Sequence, residues 1–181
     1  MERNVAMIAL FAALIAALGL IPKITLAFGV PVTAQSLGVM LCGTVLGARR
    51  GALAVLLFLV LVALGLPLLS GGRGGLGLFT SPSAGFLFGF PVAAFVTGLI
   101  VEKWRNGPLT IVAGVASVIG GIVVLYIFGI VGMAVTLGKT IPEATALTTA
   151  FIPGDLLKAA IAGMVTSALA KARPQSVLSR A

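Results

Sequence analysis

Apolar residues fill this chain in long runs that are broken mainly by Pro, Gly and a few charged residues. An α-helix needs about 20 apolar residues to cross the hydrocarbon core of a membrane. Because Pro, Gly and charge mark the ends of such helices, the pattern predicts six transmembrane helices. They cover about residues 5–21, 32–48, 51–69, 86–101, 109–135 and 153–170.

The composition supports a membrane protein and leaves no room for a separate soluble domain. The 181 residues are 60% hydrophobic and only 9% charged, whereas soluble domains contain about a quarter charged residues. The first apolar run starts after Arg3 and continues to Ile21, which is longer than the apolar core of a usual signal peptide. We therefore expect an all-α integral membrane protein whose single transmembrane domain spans residues 1–181.

The distribution of the basic residues predicts the orientation of these helices. With six helices and a cytoplasmic N-terminus, eight cations fall inside and three fall outside, which agrees with the positive-inside rule. Lys158 lies within the sixth helix. The inside set is Arg3, Arg49, Arg50, Lys103, Arg105, Lys171, Arg173 and Arg180, and the outside set is Lys23, Arg73 and Lys139. Both termini are thus expected in the cytoplasm, and the net charge of +8 needs no nucleic acid to explain it.

The predicted outside segments are long, poor in charge, and rich in Gly, Pro, Ser and Thr. They cover residues 22–31, 70–85 and 136–152. Uncharged irregular backbone at a membrane surface needs water or a packed partner, so these segments are either a lid over a site or solvated connectors. We favour the lid.

Asp155 and Lys158 are the only charged residues inside the last apolar run. Their spacing places them on one helical face, about 4.5 Å apart along the axis. Ionisable residues inside a membrane are costly and usually functional. An acid in the first helical turn also suits the helix dipole, but that structural explanation does not cover Lys158. Together the pair offers an acceptor and a donor, which suits a urea-like or amide-like ligand; a proton relay through Asp155 is the rival use.

Polar side chains also enter the outside end of the second helix, in residues 30–36 (VPVTAQS). Thr33 and Ser36 can bond to their own helix backbone. Gln35 is harder to satisfy locally, so it is the better ligand candidate, with Thr33 beside it.

The run GGRGGLG at residues 71–77 formally matches the dinucleotide-binding fingerprint G-x-G-x-x-G. That fingerprint requires a preceding strand and a following helix in a βαβ unit, and here it follows an apolar helix. We interpret the glycines as permitting close approach and movement in a lid. Arg73 is the candidate cation in this loop for an anionic group of a ligand.

Ala9, Ala13 and Ala17 form a small-residue stripe on the first helix. Such a stripe allows another helix to approach closely. It fits an interface with a partner helix or an internal packing seam equally well.

The chain contains few of the residue types that catalyse reactions or bind metals. It has no histidine, one cysteine (Cys42) and four acids, which makes a metal site, a cofactor site or a nucleophilic catalytic set improbable. Gly138-Lys139-Thr140 resembles the end of an ATP-binding Walker A loop, but Met133 stands where its first glycine is required. We expect a transport subunit and not an enzyme.

Several stretches together resemble the BioY family, the biotin-binding S components of energy-coupling-factor (ECF) transporters. The resemblance covers about residues 20–170. Its motifs are PVTAQSL at 31–37, LGARRG at 46–51, GLP at 65–67, GGRGG at 71–75, SPSAGFLFGF at 81–90 and PGDLLK at 153–158. The family more often has Gly-Pro-Thr-Gly-Gly-Tyr where this chain has SPSAGF at 81–86, so a tyrosine contact there is absent.

The resemblance implies a six-helix protein of the prokaryotic cytoplasmic membrane that captures biotin from outside. It also implies partners: a transmembrane T component, two ABC-type ATPase subunits and the surrounding membrane lipid. The family's Asp and Lys on the last helix hold the ureido ring of biotin, and they match Asp155 and Lys158. Its small-residue stripe packs on the T component, and it matches Ala9, Ala13 and Ala17.

Two alternatives remain at this point. A proton-coupled secondary transporter would use Asp155 as its protonation site and would need no ATPase partner. A structural membrane subunit would bind no ligand, so no vitamin would stabilise it.

Overall fold

The computed structural model describes residues 2–25 and 30–180. Residues 26–29 of the predicted outside segment 22–31 lie outside the described residues, as do Met1 and Ala181 at the ends of the predicted domain. Within the described ranges the chain forms eight α-helices. They are α1 Glu2–Leu18, α2 Gln35–Leu46, α3 Ala48–Ala63, α4 Ala84–Lys103, α5 Leu109–Val118, α6 Leu125–Leu137, α7 Ile141–Thr148 and α8 Ile152–Ala172.

The fold is almost entirely helical, and its sheet is minimal. Two antiparallel strands of two residues each, β1 (Ile24–Thr25) and β2 (Pro31–Val32), pair on the chain between α1 and α2. Ile24 lies opposite Val32. The sequence pattern did not predict this short pairing. It places β1 beside β2, and β2 directly precedes α2.

Helix α3 is shorter than the predicted helix 51–69 because a glycine and a proline follow it. Its last residue is Ala63, and Gly65 has a φ of 101°, which side chains other than glycine rarely adopt. Pro67 then lacks a backbone N–H donor. The apolar residues after Gly65 therefore belong to the following loop.

Helix α7 lies in the segment 136–152 that the sequence pattern predicted as an irregular loop. Thr140 and Glu143 form a capping box in which the Glu143 carboxylate accepts from the Thr140 N–H at 2.8 Å. The Thr140 hydroxyl in turn accepts from the Glu143 N–H. These reciprocal bonds satisfy donors that a helix start leaves unpaired, so this stretch folds as a helix despite its polarity.

Helix α4 is the centre of the bundle and packs against α2, α3, α5 and α6. One close approach involves Gly98, where a Cβ would overlap the backbone of Gly47 and Ala48 in the α2–α3 turn. Glycine at such a contact lets membrane helices approach backbone to backbone. The α2–α3 turn is therefore fixed against the second half of α4.

The chain from Leu109 to Leu137 is one continuous helix, with a π-helical segment at Ile119–Val124 between α5 and α6. Such π segments alter the direction of the side chains that follow and occur often at functional sites. Tyr126 lies two residues beyond the segment and is buried in the bundle.

The surface of the bundle is apolar. Among the described residues, three helical stretches are long and apolar enough to cross a membrane, namely Ala84–Lys103, Leu109–Leu137 and Ile141–Ala172. Large aliphatic side chains such as Val60, Val123 and Leu157 are more than half exposed on the outside of the helices. Exposure of this kind is unfavourable in water and suits contact with lipid.

Gln35 was predicted from the sequence to bind a ligand. Its side chain forms hydrogen bonds with three backbone groups at one end of the bundle. Its Nε2 donates to the carbonyl oxygens of Ile15 and Leu68, both at 3.1 Å. Its Oε1 accepts from the Ser70 N–H at 3.0 Å. The side chain is 2% exposed, and both of its N–H donors and its Oε1 bond to the backbone, so its amide connects α1, α2 and the loop after α3.

Replacing Gln35 with leucine should loosen this loop, because the Leu68 carbonyl and the Ser70 N–H lose their bonds to Gln35, while the Ile15 carbonyl keeps the Gly19 N–H at 3.2 Å. Each unsatisfied buried group costs about 1–3 kcal/mol. We expect a lower melting temperature in detergent and faster proteolysis within residues 65–83. Gln175→Leu is the matched control, since Gln175 is exposed. Equal stability of the two variants would contradict this role for Gln35.

Candidate functional site

The charged pair of α8 is the centre of a compact hydrogen-bonded cluster. Lys158 Nζ lies 2.8 Å from Asp155 Oδ1, which is an ion pair between residues three apart. The same Nζ donates to the Ser36 hydroxyl at 3.0 Å, and that hydroxyl donates to Asp155 Oδ1 at 3.2 Å. The Tyr126 hydroxyl donates to the other oxygen, Asp155 Oδ2, at 2.7 Å. We call these four residues the Asp155 cluster.

The local sequence explains how each element presents its member of this cluster. Pro153 lies in the first turn of α8 and favours a helix start, which puts Asp155 near the positive end of the helix dipole. Lys158 lies one turn deeper, on the same face, where the carboxylate compensates its charge. Ser36 comes from the first turn of α2, and Tyr126 comes from the first turn of α6.

Burial makes the pairing necessary. Asp155 is 6% exposed, and the Lys158 side chain is 14% exposed. An isolated charge at such a position is strongly unfavourable, and removing one member of a buried pair leaves the other uncompensated. Asp155–Lys158 is the only ion pair within the described part of the chain.

A cavity of about 70 Å³ borders the cluster. Its polar lining includes Asp155, Lys158 and Ser36, together with Arg73 from the loop after α3. Most of the remaining wall is apolar. These apolar residues are Val30, Val32, Leu69, Phe86, Phe90, Leu125 and Phe151. The predicted site residues Asp155, Lys158, Arg73, Gln35 and Thr33 therefore all border one space.

Three aromatic rings pack edge to face beside this cavity. The ring centroids of Phe86 and Phe151 are 5.8 Å apart, and those of Tyr126 and Phe151 are 6.5 Å apart. Phe86 and Tyr126 complete the triangle at 6.3 Å. This geometry is favourable for aromatic pairs and orients the phenol that bonds to Asp155.

Arg73 is held at the cavity by a tight turn. Leu69 and Arg73 exchange both backbone hydrogen bonds, at 2.9 and 3.1 Å, and Gly71 and Gly72 between them have φ values of 81° and 69°. The Arg73 Nε donates to the Ser70 carbonyl at 3.2 Å. Since the side chain is half-buried and has no carboxylate within ion-pair distance among the described residues, its charge is available to an anion.

Thr33 and Gln35 border the cavity but are already engaged by the protein. The Thr33 hydroxyl accepts from the Gln35 N–H at 3.2 Å at the start of α2. Both Nε2 donors and the Oε1 of Gln35 bond to backbone groups, as described above. Their contacts suit positioning of the cavity wall better than direct contact with a ligand.

Ser36 and Tyr126 were not among the predicted site residues. Ser36 lies 119 positions from Asp155, so no spacing rule connects them. Tyr126 did carry a signal, because it is the only tyrosine and it interrupts a very apolar run. A buried tyrosine hydroxyl normally has a hydrogen-bond partner, so a lone phenol in an apolar helix indicates a polar group opposite it.

The small-residue stripe of α1 is a surface apart from this cavity. Ala9, Ala13 and Ala17 are exposed along one side of α1, opposite the buried Phe11 and Ile15. Within the described ranges, no group of three or more His, Cys, Asp or Glu side chains could hold a metal ion.

Comparison with known proteins identifies the family. The BioY family model matches residues 2–175. A biotin transporter BioY of Rhodobacter capsulatus is 54% identical over 189 residues, covering 99% of this chain and 100% of that protein. One from Rhizobium etli is 55% identical over 173 residues, covering 92% of each.

A crystal structure gives an independent match. It is the S-component for biotin from an ECF-type ABC transporter, with a TM-score of 0.89 and 27% sequence identity, and the match covers 94% of this chain and 92% of that one. The transporter relatives and the apolar helices together indicate a multi-pass membrane protein. The resemblance inferred from the sequence motifs is thereby confirmed, and the chain belongs to the BioY family.

Proposed function

We propose that this chain captures biotin at the outer face of a prokaryotic cytoplasmic membrane, as the S component of an ECF-type transporter. The main support is the hydrogen-bonding capacity that the Asp155 cluster leaves unused. Among the described residues, Asp155 Oδ1 accepts from Lys158 and Ser36, whereas Oδ2 accepts only from Tyr126. Lys158 uses two of its three N–H donors within the cluster.

One carboxylate lone pair and one ammonium N–H therefore remain for a ligand. The ureido ring of biotin presents an N–H beside a carbonyl oxygen, which is the complementary arrangement. In this proposal Asp155 accepts from the ring N–H and Lys158 donates to the ring carbonyl. Ser36 and Tyr126 hold Asp155 in position, and the apolar wall of the cavity receives the hydrocarbon part of the bicycle.

Arg73 is the proposed partner of the valerate carboxylate. It borders the same cavity and is half-buried, and its side chain bonds to the Ser70 carbonyl alone within the part of the chain that the structure describes. A guanidinium binds a carboxylate through two parallel hydrogen bonds, which fixes the orientation of the ligand as well as its charge.

The outer segments are proposed to act as a lid. The cavity of about 70 Å³ is much smaller than the roughly 300 Å³ or more of usual ligand pockets. Its walls must therefore separate to admit biotin. Val30 and Val32 precede α2, and Arg73 and Ser83 lie between α3 and α4, so the segments around α2 and α4 supply much of the wall. The positive-φ glycines beside Arg73 give its turn the conformational freedom that closure requires.

We infer six passes with both termini in the cytoplasm, where α5 and α6 form one pass and α8 forms the last. The C-terminal segment supports this, because the Ser179 N–H donates to the Val45 carbonyl near the α2–α3 turn at 2.9 Å. Arg105 Nη1, after α4, donates to the Arg180 carbonyl at 3.2 Å. The predicted inside connections and the C-terminus thus lie at one end of the bundle, as an even number of passes requires.

The energising partners are proposed to be a transmembrane T component and two ABC-type ATPase subunits. Ala9, Ala13 and Ala17 are exposed on α1 and offer a flat surface for a helix of the T component. The proton-coupled alternative is disfavoured by the ion pair. Protonation of Asp155 would leave Lys158 as a largely buried cation without a counter-charge, at considerable cost.

Asp155→Asn and Lys158→Gln should each weaken biotin binding, because each removes one charge-assisted hydrogen bond to the ureido ring. Such bonds contribute about 1.5–3 kcal/mol, which corresponds to a loss of affinity of about 10- to 150-fold. Isothermal titration in detergent measures the effect. Glu2→Gln and Lys171→Gln are charge-matched controls at exposed positions. Unchanged affinity in both Asp155→Asn and Lys158→Gln would refute this assignment of the pocket.

Arg73→Gln should weaken binding of biotin by about tenfold, as expected for loss of one ionic hydrogen-bonded contact. The neutral carboxamide of biotin should lose little affinity for the same variant, since it has no carboxylate to pair. Titration of both ligands against the wild type, Arg73→Gln and Lys139→Gln separates the two effects. An equal loss for acid and amide would show that Arg73 serves the loop and not the carboxylate.

Ala13→Leu should abolish uptake and co-purification with the T component while it leaves biotin affinity unchanged. The larger side chain would separate the two helices at their closest contact. Ala160→Leu is the control, because Ala160 is an exposed alanine on α8, outside the stripe. Normal complex formation by Ala13→Leu would exclude this face of α1 as the partner interface.

A further inference from the structure

A second cavity lies at the opposite end of the bundle from the Asp155 cluster. It has a volume of about 620 Å³ and lies between the α2–α3 turn, the last turns of α4 and the C-terminal segment. Three arginines line it, namely Arg49, Arg50 and Arg105, and Phe95 and Leu99 of α4 also line it. We call this cavity the basic groove.

The framework of the basic groove is fixed. Gly98 of α4 packs against the α2–α3 turn, and the Glu102 carboxylate accepts from the Ala48 N–H at 2.9 Å. The C-terminal segment closes one side, because Leu178 is buried and its carbonyl accepts from Arg50 Nη1 at 3.3 Å. The groove is therefore built from three elements that hold one another, and no side of it is a single free loop.

The positive charge of the groove is not balanced by the protein. The structure gives Arg49 no hydrogen bond or ion pair among the described residues, and its side chain is exposed. Arg50 and Arg105 donate only to backbone carbonyl oxygens. Glu102 is the one acid of the lining, and it lies within no ion-pair distance of the described cations.

Arg180 adds a further positive charge at this end of the bundle, where its side chain lines a neighbouring cavity with Arg3 and Gln175. Its Nε and Nη2 are buried without a hydrogen-bond partner. Burial lowers the pKa of this guanidinium, and the neighbouring charge of Arg105 lowers that pKa further. Arginines crowded in this way favour an anion that can accept several N–H bonds at once, and phosphate oxygens match the guanidinium in geometry.

The opposite wall of the groove is apolar and faces outward. Phe95 and Leu99 lie one helical turn apart on α4, and Phe95 is 39% exposed. Trp104, the only tryptophan of the chain, follows α4 and is 42% exposed. Tryptophan is enriched where a membrane meets water. The groove thus joins a cationic end to an apolar strip at the level where lipid headgroups lie.

We propose that the basic groove binds an anionic phospholipid of the inner leaflet. Arg49 and Arg105 hold its phosphate, and one acyl chain lies along Phe95 and Leu99. Basic pockets between membrane helices on the cytoplasmic side are suited to such headgroups. The assignment rests on the proposed topology and is independent of the identity of the ligand in the other cavity.

Trp104 supplies a direct probe. The purified protein is reconstituted in phosphatidylcholine bilayers that contain a small fraction of either brominated phosphatidylglycerol or brominated phosphatidylcholine, and quenching of Trp104 fluorescence is compared. We expect the anionic lipid to be enriched at Trp104 by about fivefold for each arginine that contacts its headgroup. Its quenching should exceed that by brominated phosphatidylcholine accordingly.

The variant Arg49→Gln/Arg105→Gln should remove the excess quenching. Lys103→Gln/Arg173→Gln removes two charges at the same end but outside the groove, and it should retain most of the excess. Arg49→Gln alone guards against misfolding, because Arg49 makes no hydrogen bond within the described protein, and it should lose part of the excess.

Three results would overturn the proposal. Equal quenching by the two brominated lipids would show that no anionic lipid is preferred, as expected if the groove receives a protein partner. An equal loss of excess quenching in the groove variant and in its control would show that the enrichment comes from general surface charge. Relief of the excess by inorganic phosphate at matched ionic strength would identify a site for free phosphate.

Discussion

The structure of the site depends on one constraint, which is that a charge buried inside a membrane protein must be compensated where it lies. Asp155 and Lys158 compensate each other at 2.8 Å, and Ser36 and Tyr126 complete the set with bonds to the same carboxylate. Helices α2, α6 and α8 are thereby held in one arrangement at this end of the bundle. The charges of the pair cancel, and one donor and one acceptor remain unused. The Asp155–Lys158 pair that stabilises the bundle can therefore also bind a small polar ligand through hydrogen bonds.

The arginines at the two ends of the bundle lie in different surroundings. Arg73 lies in a tight turn whose glycines have positive φ, and its Nε donates to the Ser70 carbonyl beside the cavity. Arg49 and Arg105 lie on a framework fixed by Gly98 and by the C-terminal segment. Arg73 therefore faces the small cavity that is proposed for biotin, whereas Arg49 and Arg105 line the basic groove that is proposed for a lipid.

Much of this account could be predicted from the sequence, for reasons that are local. Apolar runs and their Pro and Gly breaks indicated the helices, and a separation of three residues brought Asp155 and Lys158 together. The sequence pattern failed where distant residues decide the outcome. No local rule connects Ser36 to Asp155 or directs the Gln35 amide to Ile15, Leu68 and Ser70. The spacing of Thr140 and Glu143 is that of a capping box, which indicates the start of a helix. The segment was nevertheless interpreted as a loop because it is polar.

The central claim is that Lys158 donates to the ureido carbonyl of biotin, and 2-iminobiotin tests it most directly. In this analogue an imino group replaces the carbonyl, and its protonated form is a cation that offers donors where biotin offers an acceptor. The decisive quantity is the ratio of the dissociation constants of protonated iminobiotin and biotin, measured by titration for the wild type and for Lys158→Gln. We predict a strong preference for biotin in the wild type, because Lys158 donates to the carbonyl of biotin and repels the cation of iminobiotin. In the variant neither effect operates, so we expect the ratio to be at least about tenfold smaller. An unchanged ratio would contradict the account.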